Sequence, residues 1–170
     1  KMDNSRIGFM QGRLSPIING KIQEFPWNNW REEFEIGASL GFTMMEWTLD
    51  QERLSENPLM TLAGQREIVS MFKKYSFSVP SLTGDCFMQA PFWKVNDSEQ
   101  REKLKVNFKA IADSCHKIGI KFIVVPLVDG GSLENENQEN SLVQFLLEQE
   151  SQFRELGIRV IFESDYQPLE

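Results

Sequence analysis

The chain repeats one pattern: a short apolar run, a polar loop, a segment with apolar residues three and four positions apart, and a stop before the next run. The apolar runs are Ile7-Gly8-Phe9-Met10, Phe42-Thr43-Met44-Met45-Glu46-Trp47, Phe77-Ser78-Val79-Pro80-Ser81-Leu82, Phe122-Ile123-Val124-Val125-Pro126-Leu127 and Val160-Ile161-Phe162. Most are continuous rather than alternating, which predicts parallel strands covered on both faces. Pro80 and Pro126 are awkward inside a central strand, but both fall late in their runs, where a strand gives way to its loop.

Helices are predicted between the strands. Leu104, Phe108, Ile111, Cys115 and Ile118 step by four and three and mark one face of the third, with Ser98 or Asp97 as its cap. Trp27, Trp30, Phe34 and Ala38 form the stripe of the first helix. Leu62, Ile68, Val69 and Phe72 form that of the second, starting around Pro58, and Leu142, Phe145, Leu146, Phe153 and Leu156 that of the fourth. The stops recur as well: Leu40-Gly41-Phe42, Ile118-Gly119-Ile120 and Leu156-Gly157-Ile158 each place a glycine where a helix ends with positive φ. Tyr75-Ser76-Phe77 fills the equivalent slot without glycine. The stops lie 35, 43 and 38 residues apart, a fair length for one strand–helix unit.

Five strands alternating with four helices predict a parallel α/β fold in a single domain over residues 1–170. Two architectures fit, a doubly wound sheet and a β/α barrel. The turn after the first strand, Gln11-Gly12-Arg13-Leu14-Ser15-Pro16, lacks a dinucleotide-type glycine fingerprint, which leaves flavodoxin-like sheets and barrels.

Composition narrows the partners. The 170 residues are 41% hydrophobic and 25% charged, with a net charge of -7, which argues against a protein that works on nucleic-acid or membrane phosphates. No apolar run reaches the length of a spanning helix, and Lys1–Arg6 is charged with no apolar core behind it, unlike a secretory signal. Cys86 and Cys115 have no metal-type spacing and read as reduced thiols, so a cytoplasmic location is expected.

Ligands of parallel α/β folds bind at the carboxyl ends of the strands. Those positions hold Gln11 and Arg13, Glu46, Asp85, Asp129, and Glu163 with Asp165, a ring of carboxylates with one arginine. Such a rim suits a hard or borderline divalent metal and proton abstraction beside a carbonyl. Acidic residues in loops are also commonly just solvated, and both readings stand for Asp129 and Asp165. Glu46 and Glu163 each follow large apolar residues, where an ionised carboxylate is costly unless paired or bound to a cation. A structural ion pair in the mouth is the alternative for both.

Gly12-Arg13-Leu14-Ser15-Pro16, Leu40-Gly41-Phe42 through Glu46-Trp47, and Phe162-Glu163-Ser164-Asp165 together resemble the sugar phosphate isomerase/epimerase family, with its xylose-isomerase-like TIM barrel. The resemblance implies five βα units of a (β/α)8 barrel, lacking the last strands, with Glu163 as both metal ligand and acid–base residue. It implies a divalent metal (Mn²⁺, Mg²⁺, Co²⁺ or Zn²⁺) whose other ligands come from later strands. It also implies a sugar or sugar-phosphate substrate isomerised by proton transfer next to its carbonyl. Glu46 is the second catalytic candidate, and Arg13, Gln11, Asp85 and Trp47 are the substrate-binding ones. Because one ligand is not a site and a partial barrel leaves open edges, the 170 residues alone are expected to be inactive and, if the chain is truly this short, to self-associate. The alternatives are a non-catalytic barrel fragment or binding protein, and an endonuclease-IV-like DNA-repair enzyme. The last would want a basic face and histidines in the early strands, and neither is present. His116, the only histidine, is expected on a helix surface. Gly130-Gly131-Ser132 reads as a plain loop or a phosphate cradle.

Overall fold

A computed structural model describes residues 6–17, 20–21 and 24–165. The apolar runs become five parallel strands: β1 (Phe9–Met10), β2 (Met44–Thr48), β3 (Ser78–Thr83), β4 (Phe122–Pro126) and β5 (Arg159–Glu163). Between them run α1 (Trp30–Ser39), α2 (Leu62–Tyr75), the short α3 (Asp85–Gln89), α4 (Ser98–Ile118) and α5 (Glu136–Glu155). No described helix is long and apolar enough to cross a membrane.

The order of strands in the sheet is their order in the chain, β1-β2-β3-β4-β5. A doubly wound sheet must reverse its order at a switch point, and this one does not, so the flavodoxin-like alternative falls. The register adds the curl of a barrel. The row through Glu46 runs from Met10 through Ser81 and Phe122 to Arg159. β1 ends on that row, β2 and β3 end two residues beyond it, and β4 and β5 end four beyond. An advance of about one residue per strand is the stagger of an eight-stranded barrel with a shear of eight.

Alternation then sorts the side chains. Met45, Trp47, Val79, Leu82, Ile123 and Val125 face the helices and are all but inaccessible. Glu46, Thr48, Ser81, Thr83 and Val124 take the opposite, concave face. Two aromatic groups fill the helix layer: Phe25, Trp30, Phe34, Trp47 and Phe77 around α1, and Phe87, Phe92, Phe108, Phe145 and Phe153 between α3, α4 and α5. Burying rings of this size supplies about 1.5–3 kcal/mol each.

The helix boundaries follow local chemistry. Asp97 caps α4 by accepting from Gln100 N at 2.7 Å, and Asn135 caps α5 by accepting from Gln138 N at 3.0 Å. Gly41, Gly119 and Gly157 have φ of 89°, 88° and 68°, and Ser76 takes the same left-handed conformation at φ 54°. Some expectations shift. Ile7 and Gly8 lie outside β1, and Ile7 is exposed. Pro58–Met60 is a separate turn of 3-10 helix, so α2 begins at Leu62, capped by Thr61 Oγ1, which accepts from Gly64 N at 3.0 Å. Leu62 is 67% exposed and does not belong to the apolar stripe. Trp27 precedes α1 rather than joining it, and α3 is an unforeseen fifth helix.

Two substitutions test this backbone. Ser76→Gly removes the cost of a left-handed residue bearing a Cβ, and chemical denaturation should show a gain of about 0.5–1 kcal/mol. Gly64→Ala improves helix propensity, yet its Cβ would sit 2.2 Å from the Pro58 carbonyl oxygen. The same measurement should show a loss of roughly 1–3 kcal/mol.

Candidate functional site on the concave face

The polar centre of the concave face is Glu46. Its Oε2 accepts a hydrogen bond from Ser81 Oγ at 2.7 Å, and its Oε1 accepts one from Thr83 Oγ1. Both hydroxyls come from β3, on either side of Leu82, which points into the helix layer. Next along β2, Thr48 is tied to the end of β1: its N donates to Gln11 Oε1 at 3.1 Å and its Oγ1 to Gln11 O at 3.1 Å. Gln11 is therefore a buried brace between two strands, and its Nε2 has no hydrogen-bond partner among the described residues. Ser81, Thr83 and Thr48 were not singled out from the sequence. The available signal was a hydroxyl at alternate positions of otherwise apolar strands.

The other candidates are spread more widely. Glu163 ends β5 paired with Pro126, and its carbonyl oxygen accepts from Leu127 N at 2.8 Å. Counting by twos along the paired rows from Thr83 through Val124 and Ile161 puts its side chain on the concave face with Glu46. That side chain is exposed. Arg13 is exposed on the β1–α1 loop, and Asp129 and Asp165 are exposed in later loops. Asp85 opens α3 but is only 4% exposed, so it belongs to the packed base of the mouth rather than an open rim.

Trp47 is not a substrate contact. Being the neighbour of Glu46 on a strand, it must point the opposite way. It is fully buried against Phe25 and Trp30, with ring centroids 5.5 and 5.8 Å away, and its Nε1 donates to Asn57 Oδ1 at 3.2 Å.

Among the described residues no three His, Cys, Asp or Glu side chains converge on a point that would hold a metal. Glu163 is part of no such group. His116 is exposed on α4 with Nδ1 2.8 Å from Leu156 O, a surface residue as expected. Cys86 and Cys115 are free and buried. Burial pushes both thiols up, and the charges of Asp85 and Asp50 add to the effect at Cys86, so neither is a ready nucleophile. Gly130 and Gly131 pack against the backbone of Met88, where an added Cβ would clash. Two further buried carboxylates escaped the sequence reading: Glu33, which lies in a helix, and Asp50, two residues past the end of β2.

No family model and no curated protein sequence matches the chain. Solved structures do. 3-Keto-D-glucoside 4-epimerase YcjR from E. coli is 17% identical with a TM-score of 0.63, over 93% of this chain and 55% of that one. D-psicose 3-epimerase from Clostridium cellulolyticum H10, solved with D-tagatose, is 15% identical with a TM-score of 0.59, over 78% and 45%. The IolI protein, solved with a bound zinc atom, is 14% identical with a TM-score of 0.60, over 92% and 51%. The chain thus spans about half the length of the structures it matches. Its five parallel strands have the fold of part of a xylose-isomerase-like TIM barrel.

Proposed function

We propose that these strands belong to an isomerase or epimerase that moves a proton at the carbon beside the carbonyl of a ketose or ketose phosphate. The observation that carries the reading is Glu46, a carboxylate on the concave face held in one orientation by two hydroxyls of β3. A carboxylate fixed in this way keeps lone pairs free to accept a substrate hydroxyl without reorganising first. The solved barrels of the same shape, several of them sugar epimerases, support the substrate class.

In this reading Glu163 takes and returns the proton from the end of β5, and Glu46 orients the sugar. Arg13 is the cation nearest in sequence to the mouth for a substrate phosphate. The described residues do not make a metal site by themselves: toward a divalent ion such as Mn²⁺, Mg²⁺, Co²⁺ or Zn²⁺ they contribute Glu163 alone. Further ligands must come from outside them. The five strands without a completed barrel are therefore proposed to be inactive. Their completion comes from further strands or from a second copy meeting the open β5 edge, where Ile161 and Phe162 are 42% and 48% exposed.

The test is exchange of solvent deuterium into ketohexoses and their phosphates by the completed barrel supplied with Mn²⁺. Glu163→Gln should lower exchange by roughly 10²–10⁴-fold, the usual worth of a positioned proton-transfer group. Glu46→Gln should raise KM more than it lowers kcat, and a chelator should abolish turnover. Unchanged exchange in Glu163→Gln, or sugar binding with no exchange at all, would reject the enzyme and leave a binding protein.

A further inference from the structure

We propose that Glu33 is a positioning residue, a buried carboxylate latch that pins the loop after β1 and so fixes where Arg13 stands. The latch itself is a property of the chain whichever reaction the barrel runs. Only its consequence for Arg13 rests on the proposed function.

Glu33 lies in the first turn of α1 and is wholly buried. Its carboxylate meets no cation in the contacts it makes. Instead Gly12 N donates to both of its oxygens at 2.9 Å, and Leu14 N donates to Oε1 at 3.0 Å. Ser15 lies beside the same carboxylate. Two amides one residue apart are thus turned inward, and the residue between them, Arg13, is left exposed. The backbone is committed to this turn. Gly12 has φ 93°, and a Cβ there would meet Glu24 O at 2.9 Å.

The far end of the same connection is held in the same way. Asp50, 8% exposed just past β2, accepts from Phe25 N at 2.9 Å and from Gln89 Nε2 at 2.8 Å. Gln89 Oε1 in turn accepts from Gln51 N at 2.7 Å. Two buried carboxylates therefore anchor the two ends of the β1–α1 connection, Glu33 through backbone amides and Asp50 through one backbone and one side-chain amide. A charge placed without a counter-ion is costly, and amide donors plus the start of a helix are what offset it here.

The latch is proton-sensitive. Burial raises the Glu33 carboxyl above the usual carboxylate range, and the hydrogen bonds from Gly12, Leu14 and Ser15 pull it partly back. A carboxyl whose value is raised by folding holds its proton more readily folded than unfolded. Its contribution to stability therefore declines as pH rises from the ordinary glutamate range through the raised value. Below that window the carboxyl is protonated and the turn keeps its full stability; above it the proton leaves and the buried charge rests on the amide donors.

The experiment follows the backbone amides of Gly12 and Leu14 in the full 170-residue chain by NMR across mildly acidic pH. Both should shift along one curve with its midpoint above the ordinary glutamate value. Their protection from hydrogen exchange, relative to β3 amides, should be at least as high below that midpoint as above it, as the raised carboxyl requires. Glu33→Gln should abolish the curve. Asp50→Asn should lower protection at Phe25 and leave the Gly12–Leu14 curve in place. Flat shifts at Gly12 and Leu14 in the unmodified protein, or a curve that survives Glu33→Gln, overturn the latch. The wild-type titration decides the matter even should Glu33→Gln fail to fold. None of these readouts requires sugar turnover, so a failed isomerase assay cannot be mistaken for a failed latch.

Discussion

The pleat of β2 imposes the constraint from which most of this structure follows. Glu46 and Trp47 are adjacent, so one must enter the helix layer and the other must leave it. A tryptophan buried against Phe25 and Trp30 contributes several kcal/mol of packing, whereas a carboxylate in that layer would cost about as much again. The choice is therefore forced, and with it the orientation of Thr48, Ser81 and Thr83 through the parallel register. A slip of one residue would bury Glu46 and expose Trp47. The concave polar face and the aromatic core are two sides of one decision.

Electrostatics on this face are settled locally. The chain carries a net charge of -7, and among its carboxylates Glu33, Glu46 and Asp50 are wholly or partly withdrawn from solvent. The contacts that stabilise them are amides of Gly12, Leu14 and Phe25 and hydroxyls of Ser81 and Thr83. Uncharged donors fix a carboxylate's orientation without neutralising it. They thus leave a negative charge available for chemistry, which a buried arginine partner would have quenched.

What was legible in the sequence divides along the same physical line. Strands, helix stripes and stops come from local periodicity and local backbone demands, so β2 to β5, the Asp97 cap and the glycines at 41, 119 and 157 were readable to within a residue or two. Ser76 fits the rule too, since its slot requires the left-handed region whatever residue fills it. The misses depend on contacts between distant segments. Leu62 is the local exception, a stripe residue by its spacing until Thr61 is seen to cap a helix that begins at Leu62 itself. Trp47 looks like a mouth residue until its face is known. Glu33 and Asp50 acquire meaning only from amides 19 to 25 residues away. A single strand also says nothing of which hydroxyls its neighbour offers, so the partners of Glu46 lay out of reach.

The exposure of Glu163 has to be weighed against its neighbours on both sides of the strand. If Glu163 were on the outer face, Arg159 and Ile161 would share that face with it, and Ile161 rather than Phe162 would be the covered one. Instead Ile161 and Phe162, which point in opposite directions, are exposed to nearly the same degree. Accessibility along β5 therefore records the lack of a described neighbour beyond this edge rather than the direction in which any one residue points. The direction comes from the register, which carries the face of Thr83 through Val124 and Ile161 to Glu163. The same edge leaves the Glu163 side chain in water. Once a strand pairs with β5 and the mouth closes, that water leaves, and the charge then requires a cation or a proton to remain.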